Sequence, residues 1–411
     1  MAASTVALSL VDDDHNSPPS YPPTTTDGTG EGYTSTFSIP YGPSSLQTLD
    51  LHTRSIPPSN RPSRTPGYGY WIIFVHGGAL RDPLTTSLSI LPSLPALFAL
   101  PNVEAVVGVN YRLSAYPRHR TQPSNEGVKW PVHFEDVRRG VGWVWGVGGM
   151  KDAIGRGGRG WVMVGHSVGG TMSLLLASAS DNAAGKEGRQ GEEAGEGVRD
   201  ALSHLKAVVS VAGIYDFPLL LRNAQQEQKA EYEEFIEAAF GGIDVSEQKR
   251  IDRSEVRGDS AGEKATKREQ ESTGYEVNGH IAEGGQRYEG APNHAKKENT
   301  RGYEAAKNAP SLLTPLPTLL DNVEAVVVAH SRGDELVEWE QGRRMVEGLT
   351  QGKETAGVVE KRGEALVKEV EIQGGHEDIL DTGRMVDVVK EAWGVLESGK
   401  EQHVNNGEGG V

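Results

Sequence analysis

The sequence predicts an α/β fold built on a mostly parallel, doubly wound sheet, and three observations carry that expectation. Apolar runs of strand length alternate with segments of helical spacing along the chain. Polar and Gly-rich clusters stand where those runs end, which is where a parallel sheet gathers its active site. One run, Trp161-Val-Met-Val164, stops at Gly165-His-Ser-Val-Gly-Gly170 and gives way to the small, apolar stretch 169–177. A serine therefore sits in the turn between a buried strand and a buried helix.

Composition narrows the rest. Hydrophobic residues make up 36% of the 411, and 52 are Gly, so part of the chain is expected to lie outside the core. The net charge of -16 argues against nucleic acid or an anionic membrane as the main partner. Cysteine is absent, which excludes disulfides and thiolate chemistry and fits a reducing compartment. Residues 1–10 are mildly apolar but lack a basic region and run into Asp12-Asp13-Asp14, a poor signal peptide. With no span-length apolar run and no Asn-x-Ser/Thr sequon, a cytoplasmic address without membrane contact is expected.

Taken in order, residues 1–32 read as a disordered lead-in rich in Pro, Ser, Thr and Asp. Residues 33–39 and 47–53 read as an antiparallel strand pair at a sheet edge, and 55–69 as a Pro-rich loop. Trp71-Ile-Ile-Phe-Val75 has the unbroken apolar character of a strand inside a parallel sheet, and it stops at His76-Gly77-Gly78-Ala79. A Leu/Pro-rich stretch, helical in its second half, leads to a strand over 103–109 and then to Asn110-Tyr-Arg-Leu-Ser114. Phe134, Val137, Val141 and Val144 have helical spacing, and 148–160 reads as loop. Within it, Gly155-Arg-Gly-Gly-Arg-Gly160 matches a dinucleotide pattern but precedes a strand and opens no helix, so it binds no phosphate.

Beyond the serine, 181–198 reads as a flexible loop, 205–211 as a strand and 230–240 as a helix. Residues 245–308 lose all apolar periodicity and cannot bury enough surface to offset their ordering entropy, so they read as a disordered insertion. Strands over 324–329 and 365–372, with helices over 339–349 and 382–396, complete a single domain over 33–400, with a flexible tail at 401–411.

Gly-x-Ser-x-Gly between strand and helix is the nucleophile elbow of a serine hydrolase. The strained serine is tolerated because Gly165 and Gly169 leave room, and the helix aims its amides at the same spot. Acyl transfer then needs a base, an acid to orient it, and donors for the oxyanion. Ser167, Asp334 and His376 occur in the chain order of the α/β-hydrolase fold, each at a strand end. Glu335 and Glu338 compete with Asp334 for the acid. The amides of Gly77, Gly78 and Ala79, in the motif opened by His76, and of Val168 are the oxyanion candidates. His166 reads as a packed residue, and His133 with Asp136 as a structural or substrate-shaping pair. No metal-ligand spacing occurs, so neither metal nor cofactor is expected.

With these pieces in place, the chain resembles kynurenine formamidase (arylformamidase) of the fungal α/β-hydrolase type. The segments that carry the likeness are Ile39-Pro-Tyr-Gly42, Leu46-Gln-Thr-Leu-Asp-Leu51, Phe74-Val-His-Gly-Gly-Ala-Leu-Arg-Asp-Pro83 and Asn110-Tyr-Arg-Leu-Ser114, with Pro131-Val-His-Phe-Glu-Asp136. Gly165-His-Ser-Val-Gly-Gly170, Ser331-Arg-Gly-Asp-Glu-Leu-Val337 and Gly375-His-Glu-Asp378 complete it. Leu80 replaces the tryptophan of the family's His-Gly-Gly-x-Trp motif. The resemblance implies hydrolysis of N-formyl-L-kynurenine to L-kynurenine and formate in tryptophan breakdown, with that small molecule as the partner and a homodimer as a candidate assembly. Two alternatives stand beside it, a carboxylesterase of the His-Gly-Gly lipase-like group and a non-catalytic hydrolase-fold protein that binds a small ligand.

Overall fold

The computed structural model describes residues 25–27, 32–55, 69–116, 128–178, 192–226, 230–241, 309, 319–350, 365–381 and 383–405. The expected insertion over 245–308 lies outside the described residues, as do most of the Pro-rich loop, the first part of the 181–198 loop and the end of the tail.

The strands are β1 (Thr25–Asp27), β2 (Tyr33–Pro40), β3 (Thr48–Arg54), β4 (Tyr70–Val75), β5 (Val103–Val109), β6 (Gly160–His166), β7 (Leu205–Val211), β8 (Ala325–Ser331) and β9 (Leu366–Ile372). They form one sheet in the order β1-β2-β3-β5-β4-β6-β7-β8-β9. From β5 to β9 every neighbouring pair is parallel, and β1, β2 and β3 add antiparallel pairs at one edge. This is the α/β-hydrolase fold that the strand and helix alternation predicts.

The helices are α1 (Leu94–Ala99), α2 (Val132–Gly146), α3 (Met150–Gly155), α4 (Val168–Leu176), α5 (Glu192–Leu202), α6 (Phe217–Gln226), α7 (Ala230–Phe240), α8 (Trp339–Thr350), α9 (Asp378–Asp381) and α10 (Arg384–Asn405), with a 3-10 turn at Ser87–Ser93. Because successive strand residues face opposite sides, β4 feeds two cores at once. Trp71, Ile73 and Val75 pack with Val137, Val141 and Val144 of α2 and Met172 of α4. Ile72 and Phe74 pack on the other face with Ile90, Leu94 and the Met385, Val389 and Trp393 positions of α10. Each such fully buried side chain is worth about 1.5–3 kcal/mol relative to exposure, so a strand buried on both faces is a rigid base for the loops at its end.

Four boundaries differ from expectation. Residues 25–27 pair with β2, although they fall in the stretch expected to be a disordered lead-in; the Thr-Thr pair suits an edge strand that the open side of β2 can accept. Helix α3 lies in the expected loop over 148–160, because Met150, Ala153 and Ile154 share one buried face at helical spacing. Helix α5 begins at Glu192, inside the expected flexible loop over 181–198, and buries Val198 and Ala201. Helix α10 runs on to Asn405, into the expected flexible tail. Helix α6 was not anticipated at all; Pro218 near its start is a favoured first-turn residue, and Leu220, Leu221 and Ala224 bury its apolar stripe.

Candidate active site

The serine turn is built as the Gly spacing requires. Ser167 has φ 54° and ψ -127°, a conformation that costs a non-Gly residue about 1–3 kcal/mol unless its surroundings enforce it. They do: the Ser167 amide donates to the Val211 carbonyl at 2.8 Å, and the first bond of α4 closes from the Gly170 amide to the Ser167 carbonyl at 2.9 Å. A Cβ on Gly165 would stand 2.2 Å from the Gly169 carbonyl oxygen, and one on Gly169 would stand 2.2 Å from that of Val75. At Gly169 strand and helix touch through backbone. Because backbone cannot step aside, Gly169→Ala is expected to destabilise the fold by about 1–3 kcal/mol or more, read as a lower urea midpoint.

Asp334 and His376 come together from separate loops. His376 Nδ1 lies 2.8 Å from Asp334 Oδ2, with both side chains buried. Asp334 Oδ1 accepts the amides of Leu336 and Val337 at 2.9 and 2.8 Å, which fixes its rotamer. Burial alone would push the Asp334 carboxyl up. The hydrogen bonds from His330 and His376, with the Val337 amide, outweigh it and hold the group well below the usual carboxylate range. Of the competing acids, Glu335 accepts the His376 backbone amide at 3.2 Å and Glu338 accepts Gln341 at 2.8 Å, so neither holds the ring.

His166 ties this loop to the serine strand. Its Nε2 donates to the His376 carbonyl at 3.1 Å, and the two rings lie 4.7 Å apart. The expected packed role fits. Among the described residues Ser167 Oγ makes no hydrogen bond, and in unliganded sites catalytic hydrogen bonds are often long or unformed.

The loop after β4 carries a run of left-handed residues, with φ 82° at Gly78, 49° at Ala79 and 60° at Leu80. Its turn bonds are donated by the Arg81 and Asp82 amides to the Gly78 carbonyl. The amides of Gly77, Gly78 and Ala79 take no part in them. A Cβ on Gly77 would meet Ser167 Cβ at 2.9 Å, so this loop runs directly against the serine. The Val168 amide opens α4, where no helical carbonyl can accept it. Leu80 is buried, and Arg81 anchors the loop to α7 through Glu234 at 3.2 Å and the Glu231 carbonyl at 3.0 Å.

Other candidates resolve into structural roles. His133 bonds Ser114 Oγ at 3.0 Å, while Asp136 takes Gln47 and the Arg112 guanidinium at 2.6 and 2.7 Å, so the two are neighbours with separate partners. The Gly155 to Gly160 stretch joins α3 to β6 and opens no helix. Among the described residues, His166, His376 and Glu377 bring ligand atoms within 4.8 Å of one another; His376 Nδ1 and His166 Nε2 have hydrogen-bond partners, and His166 Nδ1 has none. Sequence reading gave no role to Arg81, which it held only as part of the segment 74–83, or to His330, which precedes Ser331 at the end of β8.

Burial holds the rings of His52, His76 and His133 at pKa values of about 4 and that of His166 at about 3. They stay neutral when folded and would charge near pH 6.5 when unfolded. The unfolded chain therefore binds more protons between those limits, and stability is lost as pH falls from about 6.5 toward 4. Urea midpoints measured across that window are expected to drop steadily; a flat profile would contradict neutral buried rings.

No family model matches the chain. Over 215 residues it is 26% identical to kynurenine formamidase avaC of Aspergillus versicolor, covering 51% of this chain and 66% of that protein. Over 212 residues it is 29% identical to the kynurenine formamidase-like hydrolase fscH of Fusarium equiseti, covering 48% and 60%. A kynurenine formamidase of Meyerozyma guilliermondii is 28% identical over 202 residues, covering 49% and 60%. The chain thus spans three fifths to two thirds of the length of these relatives. Among solved structures, esterase B from Lactobacillus rhamnosis is similar at a TM-score of 0.48 and 13% identity, covering 92% of this chain and 91% of its own. In sequence, about half of this chain is similar to fungal kynurenine formamidases and formamidase-like hydrolases.

Proposed function

We propose that the protein is a serine hydrolase that cleaves N-formyl-L-kynurenine to L-kynurenine and formate, a step of tryptophan breakdown in the cytoplasm. The observation that carries the reading is the 2.8 Å bond from Asp334 to His376, on a loop that His166 fastens beside the strained Ser167. The names of the relatives supply the substrate.

In this reading Asp334 keeps His376 in the tautomer with hydrogen on Nδ1, which leaves Nε2 to take the Ser167 proton as Oγ attacks the formyl carbon. The oxyanion rests on the amides of the Gly77–Ala79 loop and Val168. His376 returns the proton to the departing arylamine, and water then releases formate from the formyl-serine. Formate assayed after incubation of the purified full chain with formylkynurenine tests this; Ser167→Ala is expected to release none above background.

A carboxylesterase with the same machinery is the second reading. Buried Leu80, with φ 60° where the family motif carries tryptophan, favours it by changing the wall beside the oxyanion loop. Turnover of short p-nitrophenyl esters with none of formylkynurenine would select it.

A further inference from the structure

The Asn110-Tyr-Arg-Leu segment leaves β5 next to the oxyanion loop, and none of its residues has a part in the chemistry so far. Tyr111 is 1% exposed, and its ring lies flat on that of His76, with centroids 4.3 Å apart and planes 7° from parallel. Its hydroxyl stands 2.8 Å from the Gly77 carbonyl oxygen and 3.1 Å from that of His76, so its one hydrogen is shared by two successive peptide groups. His76 adds a bond of its own, with Nδ1 3.0 Å from the same Gly77 carbonyl. Burial raises the Tyr111 phenol above its ordinary pKa, so at neutral pH it is a donor.

In a trans peptide the carbonyl and the following amide point in opposite directions. Carbonyls of His76 and Gly77 gathered on the Tyr111 side therefore turn the Gly77 and Gly78 amides to the other side, and Gly77 itself abuts Ser167. We propose that Tyr111 is the positioning residue of the oxyanion loop, its hydroxyl holding two consecutive peptide planes so that their amides face the nucleophile. The proposal rests on the serine hydrolase reading but not on the identity of the acyl substrate.

Tyr111→Phe is the test, because it keeps the ring stack and removes only the oxygen. A missing oxyanion donor costs about 10²–10³ in kcat, so a donor merely loosened is expected to cost about tenfold or more, with KM within about twofold. A boronic acid that mimics the tetrahedral state should weaken in the same proportion. The assay is run on formylkynurenine and on p-nitrophenyl acetate, so loss of the first substrate alone removes the formamidase reading and leaves this one standing.

Three results would overturn the proposal. One is an unchanged kcat and boronate affinity in a variant that melts lower, which marks a purely structural hydroxyl. Another is a raised KM with kcat unchanged, which makes Tyr111 a ligand contact in the cavity of about 500 Å³ that it lines with His76 and Asn110. The third is a wild-type chain that neither turns over the two substrates nor reacts with a fluorophosphonate, which sinks this proposal and the hydrolase reading together.

Discussion

Ser167→Ala is expected to lower kcat by about 10⁴-fold or more while the fold survives. The size follows from the role: with the nucleophile gone, only binding and the oxyanion donors remain, and in hydrolases of this logic they retain a small part of the rate. The fold should survive because Ser167 Oγ makes no hydrogen bond among the described residues, and the strained turn is held by the Ser167 amide and carbonyl. Alanine already occupies backbone of positive φ at positions 79 and 212, at 49° and 51°. The measurement is kcat beside circular dichroism and a urea midpoint. A variant that is equally stable yet turns over within tenfold of wild type would remove Ser167 from the chemistry.

Asp334→Asn is expected to lower kcat by about 10³–10⁴-fold, with KM little changed, because it attacks the tautomer and not the binding. Oδ1 holds the loop through the Leu336 and Val337 amides, and an Asn oxygen can keep those bonds. At Oδ2 the carboxylate accepts from His376 Nδ1; an amide nitrogen there donates instead, so the hydrogen of His376 moves to Nε2 and the ring can no longer accept from Ser167. His330 Nε2, 3.4 Å from the same oxygen, would face that amide hydrogen as well. Asp334→Asn retaining more than a tenth of the rate would shift the acid to Glu335, whose carboxylate already meets the His376 backbone.

Much of this was legible in the residues, and the limits have physical causes. Strands β4, β6 and β8 are buried on both sides, so an unbroken apolar run is the only pattern they can have, and each was placed within a residue or two. Helix α2 shows its buried face as a repeat of Phe134, Val137, Val141 and Val144. Helices α3 and α5 hide theirs among Gly and charge, and their order comes from tertiary packing that local propensity does not announce. The elbow was visible because Gly165 and Gly169 answer a steric demand inside five residues. The bond between Asp334 and His376 joins residues 42 apart in sequence, and chain order announced the pair before geometry did. Tyr111 stood out only within a segment that carries the family likeness, and His330 only by its place near a strand end, since a buried phenol or imidazole reads like any core aromatic until its hydrogen-bond partners are seen.

The most direct measurement is the site of covalent modification. Full chain treated with a fluorophosphonate and digested should carry a single phosphonyl adduct on the peptide containing Ser167, formed slowly in Asp334→Asn and absent in Ser167→Ala. An adduct on another residue, or intact chain that never reacts, would contradict a serine made nucleophilic by a neighbouring imidazole.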